Sequence, residues 1–368
     1  MVKRLLLIIG IIVSLSSCGG DVAYQIEGKL KNLEDQTVYA VFENDDVKVV
    51  DTITCEKPGQ FLIKRRDGDF KELTLFIENK SEWFTVYLEK GEKVSIAGDA
   101  TYPSLLQIKG GRINDQLTSM KKEITPLLKE HTDLIRILNK DSKDSLDHSI
   151  EDTDVAARLA NINHQLEEHT MSYIKDYPNE EASVVLISKF FTNPDDTREL
   201  DELLAILSPD LKDFYLVKKL EEYSARAKRT ELGAEAPNFN VKNVFGTPVS
   251  LDSFPEKYLL LTFTAPWCDI CQTENLQLNE IATKYPKDKL AMLLVSLDDN
   301  PKDVRTLLAK DSIAWNLVTD SAGQAAMLLS LYNVSALPRC YVIDQGGKIV
   351  LKTDNGVEVK QTLENLME

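Results

Sequence analysis

A chain of 368 residues is longer than one hydrophobic core usually extends, so two or three folded units are expected. Hydrophobic residues make up 43% and charged residues 28%, the balance of an ordinary globular protein. The formal net charge is -16 and no basic cluster stands out, which excludes a nucleic-acid partner, because a phosphate backbone demands a positive footprint.

In chain order, Lys3-Arg4 precede an apolar run from Leu5 to Val13 that is too short to span a bilayer and reads as an export signal. Leu15-Ser16-Ser17-Cys18-Gly19 then resembles the lipobox of bacterial lipoproteins. That resemblance implies that residues 1–18 are a lipoprotein signal peptide, with Cys18 lipidated as the mature N-terminus. The protein is then expected in the cell envelope, anchored in a membrane by acyl chains and facing the periplasm, where disulfides persist.

From residue 21 to 109 the apolar period is near two. Tyr24 to Leu30, Thr37 to Phe42, Val47 to Ile53, Phe61 to Lys64, Leu73 to Ile77, Trp83 to Leu88 and Lys93 to Ala97 read as strands. Turn signals such as Lys57-Pro58-Gly59 and Glu89-Lys90-Gly91 separate them, which predicts an antiparallel β-sandwich or open barrel. Trp83, Phe84 and Tyr87 are expected to pack the sheets rather than line a ligand groove.

Residues 110–230 change to a helical period. Ile113, Leu117, Met120 and Ile124 follow three-four spacing, as do Val155, Leu159, Ile162 and Leu166. Further helices are predicted from Ala182 to Phe191 and from Thr197 to Leu207. Ser208-Pro209-Asp210 reads as the start of the next one, with an N-cap, a first-turn proline and an acid at the positive dipole end. Asn139 to Ser149 reads as an exposed loop. His131, His148, His164 and His169 all fall in this segment without metal-ligand spacing, so they are expected on solvated helix surfaces, with no metal site and no cofactor.

From residue 231 to 368 strands alternate with helices, which predicts a mixed α/β sheet covered on both faces. A hairpin runs through Phe239 to Val244 and Pro248 to Leu251. The apolar run Tyr258 to Phe263 then ends at Trp267-Cys268-Asp269-Ile270-Cys271, and Leu278, Ile281 and Ala282 fall on one face of the helix that follows. A strand from Leu290 to Leu297, a helix from Pro301 to Lys310, Trp315 to Val318, a helix from Gln324 to Tyr332, strands at Cys340 to Ile343 and Lys348 to Leu351, and a terminal helix complete it. Two cysteines three apart in a first helical turn lie close enough for a disulfide, and the helix N-terminus stabilises a thiolate there. The pair therefore reads as redox-active. Cys55 and Cys340 read as small buried hydrophobes, with a third thiol near the site as the sharper alternative for Cys340.

Residues 233–366 resemble the envelope-attached thioredoxin-like family (redoxin, AhpC/TSA-like) that includes the cytochrome-maturation thiol-disulfide reductases. The resemblance rests on Gly233-Ala234-Glu235-Ala236-Pro237-Asn238-Phe239, Trp267-Cys268-Asp269-Ile270-Cys271, Glu274, Val295-Ser296-Leu297-Asp298, and Tyr332 through Pro338 to Asp344 with Gly347 following. Residues 24–230 look like the β-sandwich and helical extension that precede such domains in lipoproteins of the Bacteroidota. The resemblance implies that Cys268 attacks a substrate disulfide and that Cys271 resolves the mixed disulfide. Pro338 is expected to be cis and to turn the Leu337 backbone toward a substrate chain. Trp267 is expected to shield one side, and Glu274 to exchange a proton with Cys271.

Two departures sharpen this expectation. Thioredoxin's buried acid six residues before the first cysteine is replaced by Thr262, which leaves proton transfer to Glu274. Asp269 between the cysteines opposes a thiolate on Cys268, making the pair more reducing. The expected partners are exported cysteine-containing proteins as substrates and a membrane thiol electron donor, since no flavin or nicotinamide fingerprint appears. Two rival readings are weighed. A peroxiredoxin-like peroxidase lacks support because Leu261 and Ala265 stand where the peroxide loop needs a proline and a hydroxyl. A binding module on a thioredoxin scaffold would not require intact Cys268, Cys271 and Pro338.

Overall fold

The computed structural model describes residues 23–33, 36–43, 48–55, 57–66, 68–78, 83–141, 150–255, 257–298 and 316–367. The export signal with Cys18, His148 and the helix expected from Pro301 to Lys310 lie outside these. Two compact units divide the chain, Met1–Ala182 and Ser183–Glu368.

In the first unit, β1 (Tyr24–Lys31), β2 (Val38–Glu43), β3 (Lys48–Ile53), β4 (Gln60–Arg65), β5 (Glu72–Ile77), β6 (Trp83–Tyr87), β7 (Lys93–Asp99) and β8 (Gln107–Lys109) form two four-stranded sheets, ordered β4-β1-β7-β8 and β3-β2-β5-β6. The alternation read from the sequence is the alternation of burial: β4 runs exposed-buried-exposed-buried from Gln60, with Phe61 and Ile63 inward. Both sheets share one core that includes Ile26, Phe42, Leu75 and Ile96. One pairing departs from the antiparallel expectation, since β1 lies parallel to β7. Gly28 in mid-strand is required by a close approach: a Cβ there would stand 2.1 Å from the ring of its register partner Phe61. Phe84 and Tyr87 are buried, whereas Trp83 is exposed on the outer face.

Three helices follow, α1 (Arg112–Glu123), α2 (Thr125–Asp141) and α3 (Ile150–Asp176). α2 continues to Asp141, into the stretch read as a loop from Asn139. Two buried polar side chains of α1 finish the strands. Asn114 accepts from Tyr87 N at 2.9 Å and donates to Tyr87 O at 2.7 Å. Thr118 treats Ile108 likewise, accepting from its N–H at 3.1 Å and donating to its O at 2.7 Å. Unpaired, those strand groups would each carry the desolvation cost of a buried polar atom, about 1–3 kcal/mol.

The second unit opens with helices α4 (Glu181–Phe190, begun at the unit boundary), α5 (Arg198–Ile206) and α6 (Tyr215–Lys228). Ser208-Pro209-Asp210 does not start α6. Pro209–Leu211 is a single 3-10 turn without a side-chain cap, and α6 begins at Tyr215 after Phe214. The proline and the acid are satisfied by that one turn, and the Ser208 side chain makes no cap hydrogen bond. Next come the hairpin β9 (Asn240–Lys242) and β10 (Pro248–Ser250), then β11 (Tyr258–Thr264), α7 (Asp269–Lys284), β12 (Leu290–Ser296), β13 (Asn316–Thr319), α8 (Gln324–Leu331), β14 (Arg339–Ile343), β15 (Ile349–Thr353) and α9 (Gly356–Met367).

The five-stranded sheet runs β13-β12-β11-β14-β15. β11 is parallel to β12 and antiparallel to β14, so the sheet is mixed, as the alternation of elements predicts. β11 is central and six of its seven residues are buried, which is why its sequence is a continuous apolar run rather than an alternating one. One face packs Leu261, Phe263 and Val295 with Leu328 and Tyr332. The other packs Leu260, Met292 and Val342 against Leu278 and Ile281 of α7 and Val359 and Leu363 of α9. Among the described residues no helix is long and apolar enough to cross a membrane.

Candidate active site

β11 delivers the chain to its carboxyl end, and Cys268 stands at the N-cap of α7 with extended backbone (φ -95°, ψ 102°). Cys268 and Cys271 are joined in a disulfide with their Cα atoms 5.2 Å apart. Cys271 N–H also donates to Cys268 Sγ at 3.2 Å. This amide is one of the helix's orphan donors, so a thiolate on Cys268 would be met by a hydrogen bond and the positive dipole end, together worth about 0.3–1 kcal/mol or more. The two sulfurs differ in access: Cys268 is half-exposed, whereas Cys271 is fully buried. Gln272 Nε2 donates to Pro266 O at 3.0 Å and Cys268 N–H to Ala265 O at 3.2 Å, bracing the turn.

The Leu337–Pro338 peptide is cis. Leu337 and the exposed Trp267 and Ile270 border an open groove of about 620 Å³, completed by Leu329 and Val334 and bordered by the carboxylate Asp269. The rim beside Cys268 is therefore apolar with a single negative charge. Pro338 itself is buried at the base of the strand that Arg339 begins.

Glu274 lies one turn beyond Cys271 on α7. Its Oε2 accepts from Gly356 N–H at 2.5 Å, so the carboxylate caps the first turn of α9. A Cβ on residue 356 would stand 2.6 Å from that oxygen, which is why glycine occupies the position. The sequence signal for this partnership, a glycine opening a terminal helix, carries no hint of an acid 82 positions earlier.

Thr262, in the place of thioredoxin's buried acid, faces Cys340 across the β11–β14 ladder with Oγ1 and Sγ 3.5 Å apart. Cys340 is fully enclosed, and burial pushes its thiol from 9.0 up to about 12, with Glu274 adding a smaller push in the same direction. At neutral pH it carries almost no thiolate, the reactive form. The linkage has a definite sign. The unfolded thiol ionises near 9 and the folded one resists, so its contribution is complete below 9 and is lost as pH rises toward 12. Denaturation midpoints measured across that window are expected to fall more gently for Cys340→Ala than for the parent; identical slopes would contradict the enclosed thiol. Tyr332 and Tyr341, also pushed up by burial, leave a residual slope in both proteins. Cys55 is half-buried against the sandwich core, its Sγ donating to Gln36 O at 3.9 Å. His164 and His169 are exposed and His131 half-buried, and no cluster suited to a metal ion occurs among the described residues.

Comparison with known proteins adds names to this geometry. Residues 232–352 match the model of the AhpC/TSA family, and residues 24–117 match a domain of unknown function, DUF4369. The chain is 27% identical over 146 residues to thiol-disulfide oxidoreductase ResA of Bacillus cereus (strain ATCC 10987 / NRS 248), covering 40% of this chain and 82% of that protein. It is 28% identical over 151 residues to thioredoxin-like protein YneN of Bacillus subtilis (strain 168), covering 40% and 85%. Among solved structures, a thiol-disulfide oxidoreductase from Bacteroides fragilis NCTC 9343 shares 30% identity over 36% of this chain and 99% of that one, with a TM-score of 0.33.

Proposed function

We propose that this thiol-disulfide oxidoreductase, whose residues 232–352 form a thioredoxin-like domain of the AhpC/TSA family, is a lipid-anchored reductase of disulfides in exported proteins. The observation that carries the proposal is the asymmetry of the pair: a half-exposed Cys268 at a helix N-cap, bonded to a buried Cys271 and bordered by an apolar groove. Anchoring through Cys18 and a periplasmic setting rest on the lipobox-like sequence. Reducing equivalents then come from a membrane thiol donor.

In the reduced protein, the Cys268 thiolate attacks one sulfur of a substrate disulfide. A mixed disulfide forms and the other substrate sulfur leaves as a thiolate. Cys271, as thiolate, then attacks Cys268 Sγ; the second substrate sulfur leaves, and the Cys268–Cys271 disulfide seen here results. Two electrons pass to the substrate, whose two thiolates take up two protons. The cis bond before Pro338 leaves the Leu337 backbone beside the groove, where an extended substrate segment would pair with it. Glu274 is assigned the proton exchange with Cys271, through the oxygen Oε1, because Oε2 is committed to Gly356. Peroxide chemistry gains nothing from Leu261 and Ala265, both buried and without a hydroxyl.

Asp269 is exposed beside Cys268 and opposes the thiolate, which favours the disulfide form. The reduction potential is expected at or below roughly -270 mV, and Asp269→Asn should raise it by about 10–20 mV. Equilibration with glutathione or dithiothreitol buffers measures both. A potential near -120 mV, that of a strong oxidant, would reverse the proposed direction.

A further inference from the structure

The residue that follows cis-Pro338 is Arg339, and its charge is answered from outside the family-matched segment. Arg339 Nη1 donates to Asp195 Oδ1 and Oδ2, each at 3.3 Å. Asp195 lies between α4 and α5, and its own N–H donates to Asn193 Oδ1 at 2.9 Å, which fixes the turn. A second cation converges on the same carboxylate. Lys352 of β15 places Nζ 3.1 Å from Asp195 Oδ1 and donates to Pro194 O at 2.6 Å. The Arg339 and Lys352 side chains are only 10% and 2% exposed, against 44% for Asp195. Burial pushes the Lys352 amine down, as expected of a cation stripped of water, and Asp195 opposes that push.

Two buried cations on adjacent strands of one sheet thus depend on a carboxylate that the helical segment supplies. Breaking such a pair leaves uncompensated buried charge and is strongly destabilising. The position of this clamp gives it a consequence for chemistry. The Arg339 backbone is in register with Phe263 of β11, while its side chain is tied to the α4–α5 turn. Both constraints act on the residue next to the cis bond, two positions from Leu337 at the groove.

We infer that Asp195 is a positioning residue for disulfide exchange. Through Arg339 it holds the Leu337–Pro338 backbone where a substrate segment pairs with it, which makes the helices of residues 183–230 a working part of the redox unit. The inference rests on the function proposed above.

The test uses the full chain with Asp195→Ala, and with Asp195→Ala/Lys352→Met, which removes one of the two stranded charges so that folding is retained. A disulfide-bridged peptide needs the Leu337 backbone, whereas 5,5′-dithiobis(2-nitrobenzoate) needs only the thiolate. The expected result is a KM for the peptide raised about tenfold with kcat within about twofold, and an unchanged rate on the small disulfide. Amide exchange across residues 336–341 should quicken about tenfold, with residues 290–296 unaffected. An unchanged peptide KM, unchanged exchange at 336–341, or equal losses on both substrates overturns the inference. If the parent protein reduces neither substrate, the proposed function fails and the role in disulfide exchange falls with it, while the exchange measurement still decides whether Asp195 holds the Leu337–Pro338 backbone.

Discussion

Replacing Cys268 with serine is expected to lower disulfide reduction by roughly a thousandfold or more. A serine hydroxyl at the N-cap keeps the hydrogen bond from Cys271 N–H, so the helix start survives while the proposed nucleophile is lost. None of the three described thiols that remain is expected to substitute for it: Cys271 is fully buried, Cys340 is enclosed and protonated, and Cys55 is half-buried with its Sγ donating to Gln36 O. Cys271→Ser should behave differently. Attack by Cys268 continues but resolution fails, so a substrate accumulates as a mixed disulfide on Cys268 that mass spectrometry identifies. Residual turnover above a few per cent in Cys268→Ser, or trapping on a different cysteine, would move the chemistry away from this pair.

The second large effect is on stability. Phe263→Ala is expected to cost about 3–5 kcal/mol in the second unit. Phe263 is completely buried on β11 and packs edge-on to Tyr341, with ring centroids 6.1 Å apart at 79°. Tyr332 lies 6.0 Å away on the same face. The substitution removes the ring and leaves a cavity that the central strand of a five-stranded sheet cannot collapse to fill. Each aromatic contact adds about 0.5–1.5 kcal/mol beyond area burial. Trp267→Ala, at a side chain 70% exposed, should change stability by less than about 0.5 kcal/mol. Denaturant titrations of the two variants provide the comparison, and a Phe263→Ala cost below about 1 kcal/mol would contradict this packing.

How much of this was legible in the sequence follows from the range over which each signal acts. Alternation within β4, or the continuous apolar run of β11, reports how a strand's own faces meet solvent, and both were readable without a partner. The two cysteines and the strand-to-helix turn were also local. Pairing is a different kind of information. Nothing in the period of β1 says that β7 lies parallel beside it, and three-residue β8 is too short to show a period. Polar residues in helices were equally silent. Nothing local marks Asn114 or Thr118, yet each is buried because a strand backbone occupies both its donor and its acceptor. Glu274 was singled out by the family resemblance, while its contact with Gly356 depends on how α9 returns to α7. Asp195 gave no signal, since an acid in a Pro-Asp-Asp turn is unremarkable until two buried cations are found facing it.

The hydrogen bonds from α1 bear on the company this protein keeps with its own copies. β8 ends one four-stranded sheet and β6 ends the other, so both are edges. An edge with open amide and carbonyl groups invites another chain to add a strand, the first step of aggregation. Asn114 and Thr118 occupy backbone groups on β6 and β8, and one short helix thereby blunts two adhesive margins at once. A sandwich excised before residue 112 would lose that guard. Its stickiness would then reflect the cut rather than the native sheets.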